Sequence, residues 1–143
     1  MDILKKSFKK SIWIFHFSAA ACNNCDIEVL ELLTPRYDIE RFGIKLVGSP
    51  RHADALLVCG AINAHSKPRL LEVYRQIPKP CLVVAFGSCA CSSGIFRESY
   101  SIVGPLDKVL KEVDQNPNIV YIPGCPPKPE AMIEGIIMGL EAL

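Results

Sequence analysis

Stretches of continuous apolar residues alternate along the chain with stretches whose apolar residues recur at helical spacing. The continuous stretches predict buried strands, and the spaced ones predict amphipathic helices. The predicted strands are Ser11–Phe17, Ile44–Val47, Ala55–Cys59, Cys81–Phe86 and Ile119–Ile122. The predicted helices are Asp26–Leu33, Pro68–Gln76, Leu106–Val113 and Pro127–Leu143. The segment Gly87–Gly94 is predicted as a loop because it is rich in glycine, serine and cysteine.

The alternation of strands and helices predicts an α/β fold with a mostly parallel sheet and helices on both faces. The length of 143 residues fits one domain. We expect a polar, basic arm at residues 1–10 and one folded domain at residues 11–143. Connections between parallel strands are right-handed almost without exception, so the loops that follow the strands should share one edge of the sheet.

Composition narrows the class of function. The net charge is +1 and aromatic residues are not interleaved with basic ones, so a nucleic-acid partner is not expected. No apolar run approaches the roughly 18 residues that a membrane span needs, and the basic start is not followed by a long apolar segment typical of an export signal. We therefore expect a cytoplasmic protein, in which seven cysteines indicate metal binding or redox chemistry.

Three cysteine motifs each follow a predicted strand. Cys22 and Cys25 form a C-x-x-C pair after the first strand, Cys89 follows the fourth strand and Cys125 follows the fifth. Ligands of open parallel sheets bind outside the carboxyl ends of the strands, so these thiols should meet at one edge. Four thiolates suit an iron–sulfur cluster or zinc, while the C-x-x-C pair alone also fits a disulfide redox pair.

The remaining three cysteines are weaker candidates. Cys89 lies nearer to the strand end than Cys91 and is the preferred ligand, although Cys91 remains an alternative. Cys59 and Cys81 lie in or beside strand-like runs, where free cysteine commonly behaves as a small buried apolar residue.

Four other titratable residues lie near the predicted motifs or loops. His16 lies inside a strand and is expected in the core or behind the ligands, while His52 is expected in solvent. His65 is expected in a loop near the cysteine edge, where it could touch a partner. Glu28 follows Cys25 by three residues; it is expected to carry a favourable charge near a helix N-terminus, or to act as a proton carrier or hydrogen-bond acceptor.

The cysteine motifs together resemble a known family. The series is C-x-x-C-Asp at Cys22–Asp26, GSCA at Gly87–Ala90 and PGCPPKPEA at Pro123–Ala131. It is similar to the small subunit of [NiFe] hydrogenases and to the homologous NuoB-type (PSST-type) subunit of respiratory complex I. The resemblance runs from about Ser11 onward and includes Arg51–Asp54 and Ser99–Ser101.

Within that family, the C-x-x-C spacing resembles the hydrogenase branch, because complex I subunits usually have two adjacent cysteines there. The short chain and its CNNCDIE stretch are most similar to the energy-converting, membrane-bound (group 4) hydrogenases. Two residues depart from the GxCxGC pattern of many relatives. Ala21 replaces the first glycine, and Asn24 replaces the second, where asparagine tolerates left-handed geometry.

The resemblance implies a flavodoxin-like fold with one [4Fe–4S] cluster bound by Cys22, Cys25, Cys89 and Cys125, the cluster nearest the [NiFe] centre. It also implies an electron-transfer subunit that is not catalytic alone. Its expected partners are a [NiFe] hydrogenase-like large subunit and a ferredoxin-like iron–sulfur subunit, with integral membrane subunits reached through the complex. The complex would place the chain peripherally on the cytoplasmic side of the membrane.

Three alternatives stay open at this point. The first is a NuoB-type subunit of a complex I-like quinone-reducing or sulfur-reducing complex. The second is a structural zinc protein that uses Cys22, Cys25 and Cys89 with Cys91 or Cys125. The third is a thiol–disulfide oxidoreductase that uses only Cys22 and Cys25, which would leave the other motif cysteines without a role.

Overall fold

The protein alternates strands with helices as the sequence pattern predicts. The computed structural model describes residues 11–142, so the predicted basic arm at residues 1–10 lies outside the described residues. The strands are β1 Ile12–Ser18, β2 Ile44–Leu46, β3 Ala55–Cys59, β4 Ile62–Asn63, β5 Leu82–Phe86, β6 Ile102–Gly104 and β7 Ile119–Ile122. The α-helices are α1 Asn24–Glu31, α2 Ser66–Gln76, α3 Ser88–Ser92, α4 Leu106–Leu110 and α5 Pro129–Ala142. Short 3₁₀ turns occupy Ile39–Phe42, Pro50–His52 and Gly94–Phe96.

Five of the strands form one parallel sheet in the order β2-β1-β3-β5-β7. Counted without the two minor strands, this is the 2-1-3-4-5 order of flavodoxin-like folds, with its switch point between β1 and β3. The predicted α/β class, with a mostly parallel sheet, is confirmed. The minor strands β4 and β6 pair antiparallel with each other in a separate ribbon.

Helices cover both faces of the sheet, and the alternation of side chains along each strand divides the core in two. All five residues of β3 are buried, as expected for the central strand of a covered sheet. Helices α1 and α5 pack on one face against Ile14, Leu57, Val84 and their neighbours. Helices α2, α3 and α4 pack on the other face against Leu56, Val58, Val83 and Ala85.

The sequence misses one short helix that matters for the site. The segment Gly87–Gly94, predicted as a loop, contains α3 at Ser88–Ser92. Five residues are too few to show a helical apolar period, so the pattern does not reveal this helix. Gly87, with φ +87°, lets the chain leave β5 and begin α3 at once, and Cys89 consequently lies in the first helical turn.

Element boundaries differ at several other places. Helix α1 begins at Asn24, two residues earlier than predicted, because Asn23 takes the left-handed conformation with φ +73° before it. Asn23, not Asn24, therefore supplies the left-handed geometry that the sequence pattern assigned to Asn24. Helix α4 ends at Leu110 instead of Val113, since the following residues form turns. The strands β4 and β6 are too short for a period of two to be visible.

Within residues 11–142, no helix combines the length and apolar character needed to cross a membrane. The longest helix, α5, has 14 residues, whereas a transmembrane helix needs about 20.

The central strand provides a test of the fold. Leu57 is fully buried between the sheet and helices α1 and α5, so Leu57→Ala should lower the free energy of unfolding by about 2–5 kcal/mol through lost burial and the cavity left behind. Leu30→Ala is the matched control because Leu30 is 57% exposed, and its effect should stay within about 0.5 kcal/mol. Urea denaturation of the purified chain measures both values. Equal losses in the two variants would contradict the assigned burial.

Candidate metal centre

The carboxyl ends of four parallel strands reach the same level at one edge of the sheet. The last residues of these strands lie opposite one another in the ladder, in the row Ser18, Cys59, Phe86 and Ile122. Cys22 follows this row by four residues along the chain, and Cys89 and Cys125 each follow it by three. The common register thus brings three separate cysteine motifs to one edge of the sheet, as the sequence predicts.

Cys25 and Cys89 lie close enough to the other motif thiols for their charges to affect the ionisation of these two residues. The pKa of Cys25 rises from 9.0 to about 11, first because the thiol is partly buried and then because Cys22, Cys89, Asp26 and Cys125 add negative charge nearby. The pKa of Cys89 is also raised, by burial and then by Cys125 and Cys22. Without a cation, ionising these thiols together is unfavourable. A bound metal reverses that preference.

Two glycines make room around the thiols. A Cβ atom at Gly87 would lie 2.7 Å from Cys25 Sγ, and its φ of +87° also disfavours any side chain there. At Gly124, φ is +151° and a Cβ would lie 2.5 Å from the backbone of Pro127. Both positions therefore require glycine, one for contact with the thiol and the other for the turn that presents Cys125.

Ser88 joins two of the cysteine loops. Its backbone N–H donates to the Gly124 carbonyl at 2.8 Å, and its hydroxyl lies 3.1 Å from that carbonyl. The Gly124 N–H in turn approaches Ser88 Oγ at 3.2 Å, and Gly87 N–H donates to the Ile122 carbonyl. Sequence reasoning does not single out Ser88, and its place between Gly87 and Cys89 is the only signal.

The thiols differ in exposure in a way that suits an open site. Cys22 and Cys125 are exposed, while Cys25 and Cys89 are half-buried. A group bound by all four would therefore contact the two half-buried thiols from the protein side and the two exposed thiols from the solvent side. Among residues 11–142, no three of these four sulfurs gather within 4.8 Å of each other.

The other cysteines have separate surroundings. The Cys91 thiol donates to the Ala85 carbonyl at 3.3 Å, back toward the strand. Cys59 is fully buried in the sheet, where burial raises the pKa of its thiol above the ordinary value. Cys81 precedes β5, so it lies at the opposite edge, and it accepts a contact from Lys79 Nζ at 3.3 Å. The expected buried setting of Cys59 and Cys81 is confirmed.

A polar group lies directly behind the first cysteine motif. His16 Nε2 is 2.9 Å from Asp26 Oδ1, and the Ser18 hydroxyl donates to Asp26 Oδ2 at 3.3 Å. Burial lowers the pKa of His16, although the Asp26 carboxylate acts in the opposite direction. Donor atoms of His16, Asp26 and Cys59 all lie within 4.8 Å of one another. His16 thus lies behind the motif, as expected, while the part played by Asp26 is not visible in the sequence.

The other titratable residues singled out from the sequence lie outside the cluster of cysteines. His65 is exposed and lines an open cavity of about 470 Å³ together with Arg69 and Ser18, beside the end of β1. His52 is exposed in the turn that precedes β3, away from the cysteine edge. The pKa of Glu28 is raised, first by partial desolvation and then by the neighbouring carboxylates of Glu31 and Glu130.

Large apolar side chains are exposed on segments next to the cysteine motifs. Ile27 and Leu30 on α1 are more than half exposed, and beyond α3 Ile95 is 91% exposed and Tyr100 fully so. Exposed apolar side chains of this size are candidates for contact with another protein, above all Ile27 and Leu30, which lie three residues apart on one helix.

Residues 22–139 match the family described as NADH ubiquinone oxidoreductase, 20 Kd subunit. The chain belongs to this family. Its membership confirms the predicted relationship to NuoB-type and hydrogenase subunits, and members of the family are subunits of oxidoreductase complexes.

Relatives of this 20 Kd subunit family come from both branches. The chain is 48% identical over 140 residues to the probable membrane-bound hydrogenase subunit mbhJ of Pyrococcus furiosus, and the match covers 98% of this chain and 80% of the relative. It is 42% identical over 129 residues to an NADH-quinone oxidoreductase subunit of Citrifermentans bemidjiense, with 90% of this chain and 70% of the relative covered.

One solved structure combines a similar sequence with a similar fold. A chain of the membrane-bound sulfane sulfur reductase, an archaeal respiratory membrane complex, superposes with a TM-score of 0.77 at 35% identity. The match covers 97% of this family member and 73% of the other chain.

Chemical labelling tests the geometry of the thiols. With a pKa of about 11, roughly 0.1% of Cys25 is thiolate at pH 8, so in the metal-free folded chain it should react with iodoacetamide much more slowly than exposed Cys22. Because the thiolate is the nucleophile, the rate at Cys25 should rise about tenfold per pH unit up to about pH 11. Mass spectrometry of labelled peptides measures both rates.

The control for this experiment is the same chain in urea, where the folded environment is lost and the two cysteines should react alike. Equal rates for Cys22 and Cys25 at pH 8 in the folded chain would show that Cys25 lacks the partly buried, negatively charged surroundings described above.

Proposed function

We propose that the protein is the electron-transfer small subunit of a membrane-associated [NiFe] hydrogenase complex. It would bind one [4Fe–4S] cluster through Cys22, Cys25, Cys89 and Cys125. The observation that carries this proposal is the convergence of four motif thiols from three separate loops at one edge of the sheet. The cluster would supply one-electron transfer, and the chain would bind it and set its surroundings.

The space around the thiols supports a cluster over a single zinc ion. Zinc binds sulfur at about 2.3 Å, so two thiolates on one tetrahedral ion lie roughly 3.8 Å apart. No three of the four motif sulfurs approach within 4.8 Å of one another among the described residues, so they are spaced more widely than a single zinc ion requires. A larger inorganic core fits this wider arrangement better, because its iron atoms lie between the ligands.

The structure also favours Cys89 over Cys91 as the third ligand. Cys89 is coupled to Cys22, Cys25 and Cys125, whereas the Cys91 thiol hydrogen-bonds the Ala85 carbonyl. A zinc site built with Cys91 would have to break that bond. A disulfide oxidoreductase that used Cys22 and Cys25 alone would leave the approach of Cys89 and Cys125 unexplained.

The C-x-x-C spacing supports the hydrogenase branch, since complex I subunits resembling this chain usually have adjacent cysteines. The 48% identity to a probable membrane-bound hydrogenase subunit agrees with that choice. The second candidate is a subunit of a quinone-reducing or sulfur-reducing complex. It is favoured by the NADH-quinone oxidoreductase relatives and by the likeness to a chain of the sulfane sulfur reductase complex.

The partners follow from the position of the cluster. A large subunit with the [NiFe] centre would cover the cysteine edge and the exposed apolar residues Ile27, Leu30 and Ile95. A ferredoxin-like subunit with further clusters would exchange single electrons with this chain. Integral membrane subunits would hold the whole complex at the cytoplasmic face of the membrane, with this chain bound peripherally.

Removal of one proposed ligand tests the cluster. Cys125→Ser in the purified complex should abolish the cluster or its redox function, because the serine hydroxyl is a poor substitute for a thiolate ligand. Iron and acid-labile sulfide analysis and the EPR spectrum of the reduced sample measure the loss. A fully assembled, normally reducible cluster in this variant would refute the assignment, and stoichiometric zinc without iron in the natural chain would favour the zinc protein.

A matched pair on helix α3 separates the two candidate third ligands. Cys89→Ser should lose the cluster signal, while Cys91→Ser should retain the iron content and EPR spectrum of the natural chain. The two residues lie two positions apart on the same short helix, so a general effect on α3 would lower both. The opposite pattern would assign the ligand to Cys91.

Purification of the complex with its natural partners decides between the two branches. A hydrogenase should contain nickel in its large subunit and oxidise hydrogen with a dye acceptor. A complex without nickel that reduces quinone or sulfur compounds would assign the chain to the second candidate.

A further inference from the structure

One carboxylate connects the two elements that flank the first cysteine loop. Asp26 lies on α1 immediately after Cys25, and its side chain turns back to β1. There Oδ2 accepts a hydrogen bond from Ser18 at 3.3 Å, and Oδ1 lies 2.9 Å from His16 Nε2. The loop that contains Cys22 is therefore closed at its base by contacts to a single side chain.

The two atoms of the closer contact have few alternatives. His16 Nε2 and Asp26 Oδ1 are both buried and lie 2.9 Å apart, and among residues 11–142 no other protein group hydrogen-bonds either atom. Each is thus the other's close polar neighbour, and the side chains of His16 and Asp26 are only 22% and 13% exposed. Since buried polar groups are costly without partners, this pairing fixes where the carboxylate lies.

Helix geometry alone does not explain this position. An acidic residue in the first turn of a helix is favourable in solvent, near the free N–H groups. Asp26 instead faces inward and approaches Cys59 on β3 as well as His16. Its negative charge acts on both Cys25 and Cys59, so the carboxylate lies on the sheet side of the cysteine site.

We propose that the negative charge of Asp26, whose side chain is held in place by His16 and Ser18, lowers the reduction potential of the cluster. The inference rests on the proposed function, because it requires a cluster on the four cysteines. Reduction adds one negative charge to the cluster, and a fixed carboxylate nearby opposes that charge. Its effect is little screened because the carboxylate is largely buried beside the site.

The test is a redox titration of the purified complex followed by EPR. Asp26→Asn keeps the size of the side chain and removes the charge, so the potential should rise. We expect at least a tenfold change in the equilibrium constant for one-electron reduction, which corresponds to about 59 mV. His16→Leu, which releases the carboxylate, should shift the potential in the same direction by a smaller amount.

The matched control is Asp54→Asn at the opposite edge of the sheet. Asp54 Oδ2 accepts the Trp13 N–H at 3.0 Å, so this variant also removes a charge and weakens a hydrogen bond to β1. It should lower the thermal midpoint of the complex while leaving the potential unchanged. An equal shift in both variants would attribute the effect to general loosening and would overturn the proposal.

A second pair covers the case in which Asp26→Asn assembles poorly. Asp26→Glu and Asp26→Gln have equal lengths and differ in charge, so the potential with Gln should exceed that with Glu. Equal potentials in this pair, with normal iron content, would overturn the proposal and leave the proposed function intact. A natural chain that binds no iron and sulfide would refute both together, and metal analysis of that chain shows which case holds.

Discussion

The parallel register of the central strands is the constraint on which the site depends. Because β1, β3, β5 and β7 all run in one direction, every chain segment that leaves them does so at the same edge. The last residues of these strands lie side by side, and this row marks the edge of the sheet. A cysteine three or four residues beyond it lies above the sheet, as Cys22, Cys89 and Cys125 do. Cys59, which belongs to the row itself, is enclosed in the core.

Given that register, the loops need only small corrections to face one another. Gly87 and Gly124 allow the chain to turn sharply with positive φ, and neither position has space for a Cβ. Ser88 then joins the two turns through its bonds to Gly124, so Cys89 and Cys125 are held by a shared set of hydrogen bonds. A scaffold of this stiffness would suit the proposed electron transfer, because the candidate ligands would move little when the charge of a bound group changed.

The sequence predicts the parts of the molecule that rest on periodicity and motif spacing. Continuous apolar runs such as Ala55–Cys59 indicate the covered sheet, and the strand-then-cysteine order indicates its functional edge. Features that depend on a few residues escape this reasoning. Helix α3 is too short to show a period, and only the backbone reveals that Asn23 takes the left-handed conformation. The contact of Asp26 with His16 joins residues ten apart in sequence, and no local pattern encodes it.

The charges at the cysteine edge of the sheet affect how stable this edge is with and without the proposed cluster. Burial and the negative charge of neighbouring groups raise the pKa of Cys25 and Cys89, and Asp26 adds to this effect at Cys25. The iron ions of the proposed cluster would supply the positive charge that turns the repulsion between these negative charges into attraction, so cluster binding would stabilise the arrangement of the cysteine loops. The same charges raise the pKa of the half-buried thiols Cys25 and Cys89, so both favour the protonated form when no metal is bound. For the same reason, the negative charge of Asp26 would act directly on the charge of a bound cluster.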